Sequence, residues 1–132
     1  MTIERHAGDP PSPFEDRYGF SRVVCAGPFV SVGGTTSIDE LGFVIGRSPY
    51  EQAVEVLRKV MAEFSRVGVV AADVMSSTAY VTDISRADDV GRAFGEIFAS
   101  VRPLLTMVEV SGLIDPRMLV EIEATAYVAA RA

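Results

Sequence analysis

The chain has 132 residues, the length of one domain, and is large enough to bury most of its apolar surface in a single core. Hydrophobic residues make up 48% and charged residues 23%, a globular composition that argues against disorder. The formal charge is -6 with no cluster of Lys or Arg, so the attraction that drives non-specific nucleic-acid binding is missing and nucleic acid is not an expected partner.

Apolar runs are interrupted well before the ~20 residues of a membrane span, and the N-terminus is polar and acidic rather than signal-like. No membrane association is expected, and the expected location is cytoplasmic. Cys25 is the only cysteine, which rules out an internal disulfide and fits a reducing compartment. It reads as a buried, inert thiol in a strand, because no His or basic helix start adjoins it in sequence.

Residues 1–17 carry Gly8, Pro10, Pro11 and Pro13 among charges, which predicts an irregular arm ahead of a single domain over 18–132. The arm holds His6, the only histidine. A lone His there has no companion ligand, which argues against a His-based metal site, a Ser-His-Asp triad and a Cys-His pair, so neither metal nor cofactor is expected.

Phe20 to Ala26 alternates weakly, Gly27-Pro28 makes a turn, and Phe29-Val30-Ser31-Val32 has the β-branched and aromatic content of a second strand, giving a hairpin. Gly33-Gly34-Thr35-Thr36 follows. Its glycines have two readings, a bulge or bend, and a stretch of backbone N–H groups that a ligand can approach. Asp39-Glu40-Leu41-Gly42 is a turn.

Ser48-Pro49-Tyr50-Glu51 is a helix start with Ser as N-cap, Pro at the first helical position and Glu closing a capping box. The helix runs to about Val67, with Ala53, Leu57, Val60, Met61 and Phe64 as its buried stripe, Glu55 and Lys59 able to pair, and Gly68 as the stop. Val74 to Asp83 alternates as a strand, with Ser76, Thr78, Tyr80 and Thr82 opposite Ser77, Ala79 and Val81. A second helix opens at Ser85 to Asp88 and presents Val90, Ala93, Phe94, Ile97, Phe98 and Val101 on one stripe. Gly91 and Gly95 lie off that stripe, and either admit another backbone or are tolerated surface glycines.

Two strands close the chain, Arg102 to Val110 and Val120 to Val128. In the second, Val120, Ile122, Ala124, Ala126 and Val128 share one face, and Glu121, Glu123, Thr125 and Tyr127 the other. That acidic face is either solvated or the wall of a site. The order of elements predicts an α+β fold whose sheet is covered by helices on one face only. The uncovered face is too polar for a dry core, but suits packing against other copies around solvent-lined clefts.

Tyr18-Gly19-Phe20-Ser21-Arg22, Ser31-Val32-Gly33-Gly34-Thr35, Gln52, Thr78-Ala79-Tyr80-Val81-Thr82-Asp83, Arg102-Pro103 with Thr106-Met107-Val108-Glu109-Val110, and Val120-Glu121-Ile122-Glu123-Ala124 occur in an order and spacing that resembles the Rid family over residues 18 to 128. Other names of that family are YjgF/YER057c, endoribonuclease L-PSP and translation initiation inhibitor. The resemblance implies a chorismate-mutase-like mixed sheet with two helices on one face, assembled as a homotrimer with small-molecule ligands in the clefts between subunits. Its best-known members are enamine/imine deaminases that hydrolyse 2-aminoacrylate-type intermediates released by pyridoxal-phosphate enzymes. In them an Arg two residues after the Pro of the penultimate strand grips the substrate carboxylate, and here that position is Leu105.

Other positions carry over in part. Gly34 matches a glycine whose N–H contacts a ligand oxygen, Thr106 a small hydroxyl residue, and Glu121 the glutamate that positions the attacking water, while Phe20 replaces a Tyr and Gly91 an Asn. The resemblance therefore implies Glu121 as the catalytic residue and Phe20, Arg22, Gly34, Thr35, Leu105, Thr106 and Met107 as substrate-binding. Walls of Leu105, Met107 and Phe20 would raise the pKa of Glu121. Arg22, two residues beyond Phe20, has two readings: a substitute anchor for the missing Arg, or a surface or inter-subunit salt bridge with a residue such as Glu109 or Glu123. Glu121 likewise is either a general base or a charge satisfied across a subunit interface. Three functions follow: an imine-type hydrolase, a metabolite-binding or regulatory module without chemistry, and a ribonuclease or translation inhibitor. Acidic charge and the lack of a catalytic His count against the last.

Overall fold

The computed structural model describes residues 2–132. In chain order the elements are β1 (Ile3–His6), a one-turn helix α1 (Glu15–Tyr18), β2 (Val23–Ala26), β3 (Phe29–Thr35), α2 (Pro49–Arg66), β4 (Val74–Val81), α3 (Ala87–Phe98), β5 (Leu104–Glu109) and β6 (Val120–Tyr127). The strands form one sheet in the order β1-β2-β3-β6-β4-β5. All neighbours are antiparallel except β4 and β5, which are joined by α3 as a crossover helix. Strand β6 pairs with both β3 and β4 and so unites the two halves of the chain.

Helix α2 starts as its sequence requires. The Ser48 hydroxyl accepts the Glu51 N–H at 3.1 Å and donates to the Glu51 carboxylate at 3.2 Å, Pro49 occupies the first turn, and Gly68 with φ of 80° follows the last. Ala53, Val56, Leu57, Val60 and Phe64 are buried along the expected stripe, while Met61 is only partly so. From α3, Val90, Ala93, Phe94 and Phe98 join them over the sheet face made by Val30, Val32, Ala79, Val81, Val120, Ile122, Ala124 and Ala126. Each fully buried Val, Leu or Phe contributes roughly 1.5–3 kcal/mol of apolar transfer. Strand β4 ends at Val81 rather than Asp83, because the Asp83 carboxylate turns back to accept the Ser85 N–H at 3.0 Å and caps the next turn. A Cβ at Gly91 or Gly95 would meet open space. No helix among the described residues is long and apolar enough to cross a membrane.

The expectation of an irregular arm over residues 1–17 is corrected, with Met1 outside the described residues. Ile3–His6 is a strand paired with β2, and the following loop is pinned by two carboxylates. Glu15, 4% exposed, accepts the N–H groups of Gly8 at 2.8 Å and Ser12, and Glu63 on α2 accepts that of Asp9 at 3.2 Å. Because β1 pairs with β2, His6 is not isolated either: it lies with Glu4 and the buried Cys25, their ligand atoms within 4.8 Å of one another.

Gln52 is the polar peg of the core. It is 1% exposed; its amide nitrogen donates to Gly46 O at 3.1 Å and Arg117 O at 2.9 Å, and its oxygen accepts the Leu119 N–H at 2.8 Å. It thereby fixes the approach to β6, and so the start of the strand that carries Glu121. Gln52→Leu keeps the volume but leaves these backbone groups unpaired, so a loss of about 2–3 kcal/mol in urea unfolding is expected.

Candidate active site

The two glycines after β3's apolar residues form a bulge. The β3–β6 register shifts between Val32 and Thr35, which turns the strand end toward the start of β6. Arg22 holds this bulge from behind. Its guanidinium donates to Gly34 O at 2.8 Å, to Gly33 O at 3.3 Å and to the Thr35 hydroxyl, and the residue is 8% exposed. Burial lowers its pKa, and the carboxylates of Glu15, Glu63 and Glu121 raise it in part. Arg22 is thus a clamp on the chain's own backbone rather than a free anchor. Within the chain neither Glu109 nor Glu123 meets it: Glu109 accepts the Ile84 N–H at 3.0 Å, and Glu123 accepts the Tyr80 hydroxyl at 2.7 Å. Thr35, 1% exposed, donates to Gly33 O at 2.8 Å and is part of the same clamp, so it does not line the cleft, whereas its neighbour Thr36 does.

In front of the bulge is a cleft of about 240 Å³. Phe14, Tyr18, Phe20, Ile38 and Ile114 supply its apolar walls, and Arg22, Gly34, Thr36, Lys59 and Glu121 its polar ones. Phe20, Arg22, Gly34 and Glu121 thus line one cleft. The Glu121 carboxylate lies over Gly34 so closely that a Cβ there would be 2.9 Å from Oε2, which explains why glycine suits the position. Glu121 is half-buried, and among the described residues no hydrogen bond compensates that burial. Burial raises its pKa, Arg22 opposes the rise, and Glu123 adds to it.

Lys59 is a cleft residue, although its spacing from Glu55 on α2 allows a pair with that carboxylate. Arg58 takes that partner instead, and Lys59 reaches across to donate to Thr36 O and Ile38 O, each at 2.6 Å. Burial first, and then the charge of Arg22, lower its pKa to about 8. A neighbouring depression shares Arg22 and Lys59 but is bordered by Glu15 and Glu63, whose oxygens already bind the N-terminal loop.

The β5 residues stand elsewhere. Leu105 and Met107 register with Ser77 and Ala79 and pack against the helix-covered core, so they do not wall Glu121 within one chain. Thr106 points to the open face, exposed, and β4 separates its strand from β6. Phe14 and Ile114, which no sequence motif singled out, take the place of those walls together with Tyr18 from the first motif; Phe14 precedes and Tyr18 ends the one turn of α1, and Ile114 comes from the distant segment before β6.

The pattern described as Endoribonuclease L-PSP matches residues 12–128. An uncharacterized protein of Streptomyces coelicolor is 36% identical over 88% of this chain and 87% of its own length. A Mycobacterium tuberculosis protein described as a member of the YjgF/YER057c/UK114 family has a crystal structure similar at TM-score 0.86 and 39% identity, covering 96% of this chain and 100% of that one. A Pseudomonas aeruginosa protein of unknown function is similar at TM-score 0.82 and 31% identity, over 97% and 94% of the two chains.

Proposed function

This chain belongs to the endoribonuclease L-PSP (YjgF/Rid) family, and from that premise we propose that it hydrolyses a small imine or enamine with Glu121 as general base. The observation that carries the reading is the Glu121 carboxylate, half-buried, without a compensating hydrogen bond, raised in pKa and lying over the bare backbone of Gly34. A base is most effective when its pKa approaches the working pH, and a carboxylate unoccupied by donors is open to a water. Glu121 takes a proton from that water as its oxygen attacks the imine carbon. Glu121 returns that proton to the nitrogen to give the carbinolamine, which expels ammonia as Glu121 relays the hydroxyl proton to the leaving nitrogen and a carbonyl forms; an enamine first tautomerises to the imine. The Gly34 N–H assists by donating to a substrate oxygen.

The substrate's apolar body packs on Phe14, Tyr18, Phe20 and Ile114. Arg22 and Lys59 already donate to carbonyls of this chain, and Leu105 carries no charge, so a substrate carboxylate is not the main handle. The active assembly is a homotrimer in which a second copy covers the cleft. The unpaired edge of β5 and the exposed Leu104 and Val108 beside it support such a neighbour, and light scattering at three times the chain mass checks it. The ribonuclease in the family's name is not carried over, since His6 stands on β1 rather than in the cleft and the chain's charge is -6.

A second reading, a metabolite-binding module without chemistry, is favoured by the same shortage of a free cation in the cleft. An amino-acid dehydratase coupled to this chain separates the two: faster release of the 2-keto acid than by spontaneous hydrolysis supports the hydrolase, and saturable binding without acceleration supports the module. Gly34→Ala sharpens the test. Its Cβ displaces only the end of a flexible side chain, so thermal stability changes little, while the carboxylate is pushed off its position and turnover falls by about 10-fold or more.

A further inference from the structure

The pairing of β1 with β2 sets Glu4 directly opposite Cys25, and His6 lies two residues further along the same strand face. A carboxylate oxygen, a ring nitrogen and the thiol sulfur of these three residues lie within 4.8 Å of one another. Glu4 Oε2 and His6 Nε2 are 3.6 Å apart, too far for a hydrogen bond. That spacing matches the roughly 3.3–3.7 Å between adjacent ligands of a tetrahedral ion whose own bonds are about 2.0–2.3 Å.

An unpaired ligand atom also lies here. Among the described residues three buried side-chain nitrogen or oxygen atoms lack a hydrogen-bond partner, and His6 Nε2 is the one of them that can ligate a cation at this cluster. Buried polar groups are rarely left so without a missing partner. Cys25, 1% exposed, forms the floor of the cluster, while Glu4 is exposed and His6 partly so, which leaves a path for an ion from solvent. Arg131 Nη2 sits 3.1 Å from Glu4 Oε2 and neutralises the carboxylate from the short C-terminal turn Ala129–Arg131.

We propose that Glu4, His6 and Cys25 form a divalent transition-metal site, best matched to zinc, with a fourth position left to solvent. One nitrogen, one sulfur and one oxygen donor suit a borderline-soft ion, whereas calcium and magnesium require oxygen donors. The site lies on the helix-covered side of the sheet, at the β1–β2 edge, and Glu121 faces the other side three strands along. It is therefore independent of the hydrolytic cleft. Its effect is to tie the edge strand β1 to β2, and Arg131 competes with the ion for Glu4. Ligation requires Cys25 to lose a proton that burial favours keeping, so the ion rather than the protein supplies the driving force for the thiolate.

The test is titration of the chelator-treated full chain with Co2+ as a spectroscopic probe, followed by displacement with Zn2+. One equivalent is expected to bind, with a near-ultraviolet thiolate-to-cobalt absorption and the visible bands of a tetrahedral ion, and to raise the melting temperature. His6→Asn and Glu4→Gln, at the accessible edge, are expected to weaken binding by at least about 10-fold. Cys25→Ser removes the thiolate absorption, and should that core variant fail to fold, the wild-type spectrum and the two edge variants decide alone. Absence of saturable binding at millimolar cobalt overturns the proposal. So does binding without the thiolate absorption, or binding that His6→Asn and Glu4→Gln leave unchanged.

Discussion

Arg22→Ala is expected to destabilise the chain by about 3–5 kcal/mol, because it removes a buried, hydrogen-bonded charge and leaves its partners unmatched. The Gly33 and Gly34 carbonyls and the Thr35 hydroxyl lose their donor together. Glu15 and Glu63, which bind the N-terminal loop, lose the cation that faces them. Arg22→Lys is expected to recover less than half of the loss, since an ammonium cannot reproduce the planar fork that serves two successive carbonyls. Urea unfolding measures both. A loss below about 1 kcal/mol in Arg22→Ala, with the fold intact and carboxylate affinity gone, would show the guanidinium to be a ligand anchor after all.

The second large effect is on chemistry. Glu121→Gln keeps the shape of the cleft but removes the base, and turnover is expected to fall by about 10²–10⁴-fold. Stability moves the other way. A carboxyl whose native pKa lies above its unfolded value binds more protons when folded, so its contribution to stability falls as pH rises through that window and is unfavourable above it. Glu121→Gln is therefore expected to melt at the same or a higher temperature at neutral pH, with the advantage vanishing in acid. Loss of rate without loss of stability is the signature of a group retained for function. The acid limb of the wild-type rate profile is expected above the ordinary glutamate value of 4.5, because burial has moved it up.

Local signals in this chain were readable, and long-range ones were not. Ser48, Pro49, Glu51 and Gly68 state the ends of α2 within a few residues of where they act, and the stripes of α2 and α3 identify the faces that meet the sheet. Alternation placed Glu121 on the face opposite Ile122 correctly, but its position over Gly34 follows from the pairing of β3 with β6 and the bulge between them. Alternation alone could not say which side of the sheet Leu105 and Met107 face, since that depends on pairing with Ser77 and Ala79. Lys59 misled for a related reason: its spacing from Glu55 suits a surface pair, but its long stem reaches the Thr36 and Ile38 carbonyls instead. The bulge at Gly33-Gly34 turned Thr35 into the clamp and brought Thr36 to the cleft, a shift that period-two counting cannot anticipate. Strand β1 gave no signal because a four-residue edge strand has too little alternation, and so the meeting of His6 with Cys25 was hidden.

The most direct measurement is the rate of 2-keto acid release in the dehydratase-coupled assay, run with wild-type chain and with Glu121→Gln at equal folded concentration. The predicted result is acceleration over spontaneous hydrolysis by the wild type and its near-complete loss in the variant, with unfolding temperature retained. Equal acceleration by both proteins would contradict the assignment of Glu121 as the base.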